Sequence, residues 1–222
     1  MKFRLRKRLP IVILLIVIMP ITLLLTYSML RVKKPSFKKE KIEFPFYVYS
    51  DYGLSKRLHF KPSGRMGDTL AMRMWGNCRQ EPYAGQSCIK IVYDIYNSTA
   101  GPNDLLHKWA GIFWNNPPNN WGIFPNQGYD LRKSKRLVFF AKGDKGGEKV
   151  EFFMGGISGR YGDSGQSERK EFELTREWKR YEIPLSNVNL KYIIGGFGLS
   201  VSGDTNQEGA IFYLDEIYYA DL

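Results

Sequence analysis

The chain is poor in the residues from which most catalytic and metal sites are built. Two cysteines and two histidines stand among 222 residues. His59 and His107 fall in no metal-ligand or triad spacing, which removes the common hydrolytic zinc and nucleophile motifs. The glycine groups Gly155-Gly156 and Gly195–Gly198 lack the strand–turn–helix setting of a phosphate loop, and read instead as strand positions where a ring or another chain packs closely. No pair of carboxylates is singled out for glycoside hydrolysis. Internal repeats and low-complexity segments are missing, and so are sustained helical periods beyond residue 41. A broad basic field is missing as well. The formal net charge is +11, but residues 1–41 hold eleven Lys/Arg and a single acid, and the remaining 181 residues hold 22 basic and 21 acidic side chains. A nearly neutral body lacks the long-range attraction that draws proteins to phosphate backbones, so nucleic acid is excluded as a partner.

The basic residues bracket an apolar segment. From Leu9 to Leu30 there is no charge in 22 residues, enough to cross a bilayer as a helix. Pro20 is tolerated in such a span, and no small-x-small cleavage site follows it. Residues 1–8 are expected to be a cytoplasmic tail, 9–30 an uncleaved signal anchor and 31–41 a basic linker. Residues 42–222 then form a domain outside the cytoplasm. Cys78 and Cys88, with nine residues between them and strand-like runs on either side, are expected to form a disulfide in such a compartment. Asn97-Ser98-Thr99 is a glycosylation sequon.

Past Ile42 nearly every segment reads as strand. Cys88–Ile95 alternates, with Ile89, Ile91, Tyr93 and Ile95 on one side. Further runs are Glu43–Tyr49, Thr69–Trp75, Lys108–Trp114, Leu137–Ala141, Val150–Met154, Lys170–Leu174, Arg180–Leu185, Gly195–Val201 and Ala210–Tyr219. Turn signals such as Gly143-Asp-Lys-Gly-Gly147 separate them. About ten short strands without helices predict a two-sheet antiparallel sandwich or barrel.

The rarest residue type gathers in one stretch. Trp109, Trp114 and Trp121 are three of the five tryptophans. The last two flank the loop Asn115-Asn116-Pro117-Pro118-Asn119-Asn120. Flat rings beside planar amides are what a sugar-binding surface requires, because rings cover C–H groups and amides pair with hydroxyls. Trp109 and Trp114 are five apart, so on a strand they point to opposite faces. Trp109 is assigned to the core. Trp114, Asn115, Asn116, Asn119, Asn120 and Trp121 are the candidate carbohydrate contacts. Trp178, inside Leu174-Thr-Arg-Glu-Trp, is expected to plug the core.

Several phrases in order resemble one kind of module. They are Asn120-Trp-Gly122, Gly128-Tyr-Asp-Leu131 followed by Leu137-Val-Phe-Phe-Ala-Lys-Gly143, Glu173-Leu-Thr-Arg-Glu-Trp-Lys-Arg-Tyr-Glu-Ile-Pro-Leu185, Ile194-Gly-Gly-Phe-Gly198 and Ile211-Phe-Tyr-Leu-Asp-Glu-Ile-Tyr-Tyr219. Together, across residues 44–222, they resemble the galactose-binding-like jelly rolls. The likeness is to carbohydrate-binding modules appended to bacterial polysaccharide-degrading enzymes, and also to the jelly roll of a complex I assembly factor. The resemblance implies an all-β jelly-roll sandwich of eight to ten strands. It implies a sugar site on the concave sheet face or at the loops of one end, and a structural calcium held partly by an acid of the last strand, here Asp215 with Asp51. The expected function is glycan binding without cleavage. Two alternatives are a protein-interaction or assembly module of the same fold, and a jelly-roll lyase or hydrolase using His107 with tyrosines.

Overall fold

The computed structural model describes residues 42–51, 58–97 and 108–221. The tail 1–8, the span 9–30, the linker 31–41, residues 98–99 of the sequon and His107 lie outside them. Among the described residues no helix is long and apolar enough to cross a membrane.

Eleven strands make up the domain: β1 (Phe46–Tyr49), β2 (Lys61–Gly67), β3 (Met72–Cys78), β4 (Cys88–Tyr93), β5 (Trp109–Asn115), β6 (Arg136–Gly143), β7 (Lys149–Phe153), β8 (Lys170–Glu173), β9 (Lys179–Pro184), β10 (Gly195–Ser202) and β11 (Ala210–Ala220). They form two antiparallel sheets. One runs β3-β4-β11-β6-β9 with β1 also paired to β11, and the other runs β2-β5-β10-β7-β8. Ten of these strands fall on runs that alternation nominates. The exception is β2, whose sequence Lys-Pro-Ser-Gly-Arg-Met-Gly carries a proline and two glycines. Pro62 is tolerated because β2 is an edge strand, where a missing N–H leaves no ladder partner unpaired.

The core lies between the sheets and is built on rings. Trp114 and Phe197 meet edge to face at 5.2 Å, Phe152 and Phe197 lie 5.7 Å apart, and Phe139 meets Phe152 at 4.6 Å. Alternation along β5 places Ala110, Ile112 and Trp114 inward. Its other face is covered too. Phe113 joins Phe153, Ile157, Tyr192 and Ile194 in a smaller cluster on the outer side of the five-stranded sheet. Trp114 is therefore a core residue, at 1% exposure, and the expectation that it is exposed is corrected. The inward face of β5 is the one carrying Ala110 and Ile112, so Trp109, on the opposite face, is the ring turned outward. Trp178 is not a core plug. It is half-buried on the outer side of the six-stranded sheet, where its indole N–H donates to the Glu81 carbonyl at 2.8 Å.

The expected disulfide is also corrected. Cys78 and Cys88 are direct cross-strand partners of β3 and β4, so the spacing argument places them opposite one another. Both are nonetheless free thiols. Burial first, and the neighbouring Cys78 second, push the Cys88 thiol up to about 12.

Outside β7, residues 154–167 fold over the small cluster and are fastened by Asp163. Its carboxylate accepts N–H bonds from Ile157 (2.9 Å), Ile194 (2.6 Å) and Gly195 (3.1 Å). Burial raises its pKa to about 6 against the lowering effect of those three bonds. A carboxyl raised above its unfolded value stabilises the fold most below about pH 4, and that contribution is lost as pH rises to about 6.

Two measurements test this packing. Trp114→Ala is expected to cost about 3–5 kcal/mol in chemical denaturation, the range for deleting a large buried ring. A loss below about 1 kcal/mol would return Trp114 to the surface. Against Asp163→Asn, the native protein is expected to lose on the order of 1–2 kcal/mol of relative stability between about pH 4 and pH 6, allowing for solvent screening at a partly buried site. A pH-independent difference contradicts the assignment.

Candidate functional site

The Asn/Pro loop after β5 is held by its own amides. Asn120 is fully buried, donating from Nδ2 to the Asn116 carbonyl at 2.9 Å. Its Oδ1 accepts from the N–H groups of Gly122, Ile123 and Phe124 at 3.1–3.3 Å. Asn115, also buried, donates to the Asn120 carbonyl, and Asn116 donates to that of Gln127 at 2.6 Å. These are the local side-chain-to-backbone bonds for which asparagine is favoured in turns. Asn115, Asn116 and Asn120 thus build the loop and present no free amide, which corrects their assignment as sugar contacts. Asn119, at φ 59°, is exposed, and its N–H donates to Ser63 Oγ at 2.8 Å. Trp121 keeps an exposed face, 39% accessible, while its edge rests on Phe113 at a centroid distance of 6.1 Å. Of the six candidate contacts, only Asn119 and Trp121 remain on the surface.

Trp121 shares its surface with Trp109, on the outer face of the five-stranded sheet. An added Cβ at Gly64 of β2 would lie 2.9 Å from the Trp121 ring, and one at Gly67 would lie 2.9 Å from the Trp109 ring. The same edge strand therefore supports both indoles. Phe113, under Trp121, is four residues along β5 from Trp109, roughly 13 Å at strand rise. Beside Trp109 lies a shallow cavity of about 420 Å³ lined by Trp109, Glu151, Arg169, Ser200 and Ser202, among others. Its polar groups hold one another in place. Arg169 pairs with Glu151 at 3.0 Å, Ser200 Oγ donates to the same carboxylate oxygen at 2.7 Å, and the guanidinium lies 3.8 Å from the centre of the Phe153 ring. Sequence reasoning missed Glu151, Arg169 and Ser200. They come from β7, the segment before β8, and β10, so no local motif joins them. Only the outward phase of Glu151 and Ser200 in their strands could have nominated them.

The outer face of the six-stranded sheet is arranged differently, because residues 79–87 lie across it as a strap. Tyr83 stacks on Phe140 at 3.7 Å, and Lys142 pairs with Glu81 at 2.9 Å. The two calcium candidates fasten this strap. Asp215 Oδ2 accepts from Tyr83 N–H (3.0 Å) and Ala84 N–H (3.2 Å). Asp51 Oδ2 accepts from the N–H groups of Gln86 (2.9 Å) and Ser87 (2.5 Å) and from Ser87 Oγ. Burial, with Glu216 and Asp51 adding like charge, pushes Asp215 up to about 7. Asp51 Oδ1 is enclosed and receives no donor. Two neighbouring carboxylates with an orphaned oxygen between strap and sheet are a donor set that suits a hard cation. A full set of His, Cys, Asp and Glu ligands is absent among the described residues, so backbone carbonyls would have to complete the six to eight oxygens that calcium takes.

No protein-family model matches the chain, and no curated protein matches it either. Solved structures do. A family 30 carbohydrate-binding module superposes with a TM-score of 0.51 at 13% identity, over 78% of this chain and 86% of that one. The family 11 module of the cellulosomal cellulase Lic26A-Cel5E of Clostridium thermocellum gives 0.49 at 15% identity, over 78% and 93%. TmCBM61 in complex with beta-1,4-galactotriose gives 0.37 at 19% identity, over 70% and 86%. The two-sheet architecture derived above is thus the β-sandwich fold of the family 30 carbohydrate-binding module, the kind of module that the sequence phrases resemble.

Proposed function

We propose that the domain binds a glycan without cleaving it, on the outer face of the five-stranded sheet between Trp109 and Trp121. One observation carries this reading: the outward ring of Trp109 shares a cavity with the mutually bonded Glu151, Arg169 and Ser200. The indole offers a face for sugar C–H groups. The carboxylate and guanidinium offer planar arrays that pair with adjacent hydroxyls, already oriented before a ligand arrives. The fold of the family 30 module supports the reading. The near-neutral domain gives no reason for a steep salt dependence. The apolar segment 9–30 would tether the domain to a membrane, outside the cytoplasm, where an envelope or extracellular polysaccharide is the natural target. Exposed Ile123 and Phe124 beside Trp121 favour a protein partner as the second reading.

Affinity electrophoresis or calorimetry with a panel of polysaccharides decides between them. Trp109→Ala and Arg169→Ala are each expected to weaken glycan binding about tenfold or more, equivalent to at least about 1.4 kcal/mol, with an unchanged Tm. Binding by no polysaccharide, together with a protein that co-purifies through Ile123 and Phe124, would replace the glycan reading.

The calcium implied by the resemblance forms part of the proposal. Asp51 and Asp215 would hold it, and when bound it would neutralise their paired charge beneath the strap. Calcium added at about 100-fold excess over its Kd to chelator-treated protein is expected to raise stability by about 3 kcal/mol. Asp51→Asn removes that gain. A melting curve indifferent to calcium and chelator alike removes calcium from the reading.

A further inference from the structure

The apolar side chains that the sandwich leaves exposed are unevenly placed. Among the described residues seven large hydrophobics are exposed, and three of them, Trp121, Ile123 and Phe124, fall within four consecutive positions. No charge interrupts the chain from Trp109 to Tyr129. The backbone of the loop is satisfied as well. Asn120 Oδ1 accepts the N–H groups of Gly122, Ile123 and Phe124, and Pro125 has none to offer. Residues 122–125 therefore present two apolar side chains with no unpaired backbone donor and no charge to desolvate. Those are the conditions under which a surface leaves water for an apolar medium at low cost. The position of the loop in the fold indicates what it meets. It follows Asn115, whose partners Lys61 and Gly195 mark one end of the five-stranded sheet. The six-stranded sheet places the start of β1 at that same end. Phe46 pairs with Tyr219, its ring meets that of Phe60 at 6.2 Å, and the Tyr219 hydroxyl donates to the Gly196 carbonyl at 2.6 Å. The chain thus enters the domain beside the loop, with Ile42 and Phe44 packed against the core.

We infer that Ile123 and Phe124 dock onto the surface of a lipid bilayer, seating this end of the sandwich on the membrane that holds residues 9–30. The inference rests on the tether within the proposed function and not on its sugar. Residues 31–41, which join the apolar segment to the entry point, extend no more than about 40 Å. A bilayer is therefore always within reach of this end, whereas a protein partner has to be supplied. Those eleven residues carry six basic side chains and one acid, which attract anionic headgroups. Arg160 adds a cation beside the loop, where the Tyr161 N–H donates to the Gly122 carbonyl at 2.9 Å. Tryptophan, as at position 121, is a residue that settles at the headgroup level. Two apolar side chains hold a membrane weakly by themselves, but the tether makes their contact intramolecular. The seat also orients the glycan surface. Trp109 opens β5 and Asn115 closes it, roughly 20 Å apart at strand rise. The cavity beside Trp109 then lies toward the end of the sandwich away from the bilayer, open to an outside polysaccharide.

The test reconstitutes the full chain into vesicles of phosphatidylcholine and phosphatidylglycerol. An environment-sensitive fluorophore is attached at Phe124→Cys or, as a control, at Glu208→Cys in the exposed β10–β11 loop at the opposite end. Each signal is read above that of the parent chain treated with the same reagent. The label at 124 is expected to be severalfold brighter than the label at 208, blue-shifted, and quenched by lipids brominated near the top of the acyl chain. Adding Ile123→Glu is expected to bring the 124 signal down to the level of 208 with an unchanged Tm, since residue 123 is exposed. A bright label that brominated lipids leave unquenched overturns the inference and gives the loop to protein: a partner, a second copy or another segment of this chain. A dim label on a chain that stays with the vesicles through an alkaline carbonate wash overturns it while the tether stands. A chain that carbonate extracts removes the tether, and the inference with it.

Discussion

The strand β11 is the constraint on which both the architecture and the strap depend. It pairs with β6 along one edge, while its other edge serves β4 over residues 210–214 and β1 over residues 217–219. Where that edge passes from β4 to β1, the register against β6 also breaks, between Asp215 and Tyr218, with Glu216 at φ 45°. A bulge re-aims side chains locally. Here Asp215 is buried and faces outward to the amides of Tyr83 and Ala84, and Ser50 donates to the adjacent Glu216. The irregularity thus coincides with the polar anchor for the strap over the sheet's outer face.

That strap sets the two outer faces apart by which of their rings the chain itself covers. On the six-stranded sheet the chain covers part of the outer face itself, through Tyr83 on Phe140 and Trp178 on Glu81, while Trp75 of β3 stays exposed. The five-stranded sheet is covered by residues 154–167 and the Asn/Pro loop around Phe113 and Phe153 only. The end near Trp109 stays open, with its polar groups bonded to one another. A half-exposed ring beside oriented polar groups is what the proposed glycan surface rests on. A ring already stacked on the chain's own residues is packing.

Much of the fold was legible because period-two alternation is a backbone property that survives in short strands. It located ten strands and correctly set Trp109 and Trp114 on opposite faces of β5. It did not say which face was inside. Gly111 shares the outer face with Trp109. In β5 it lies where the Leu199 carbonyl and the Met66 side chain approach from the outer side. The asparagines misled for a related reason. Their amides are as apt to cap a turn as to meet a sugar, and the sequence order Asn-Asn-Pro-Pro-Asn-Asn specifies a turn that must satisfy its own N–H groups in a confined space. The cysteine spacing located a cross-strand neighbour pair, which is a statement about register and not about redox state. β2 was illegible because its alternation is erased by Pro62, Gly64 and Gly67, residues that an edge strand under two indoles can use and a central strand cannot.

The charge count shows how an average conceals a site. Across residues 42–222 basic and acidic side chains nearly cancel, which is the basis for excluding nucleic acid, and that exclusion concerns the long-range field. Short-range recognition depends on where individual carboxylates are held and whether their oxygens have partners. Several acids of the domain are engaged by the chain itself: Asp163 on three backbone amides, Asp94 on Arg73, Glu81 on Lys142. Glu151 is engaged but exposed enough to trade partners, and Glu148 is buried with one oxygen unmet. The first arrangement suits a neutral hydroxyl, which can replace one weak surface pairing with another. The second is closed to solvent, with its unmet oxygen lying against Gly143. Near-neutrality of the whole therefore says little about any single carboxylate, because partner and enclosure decide what each one can do.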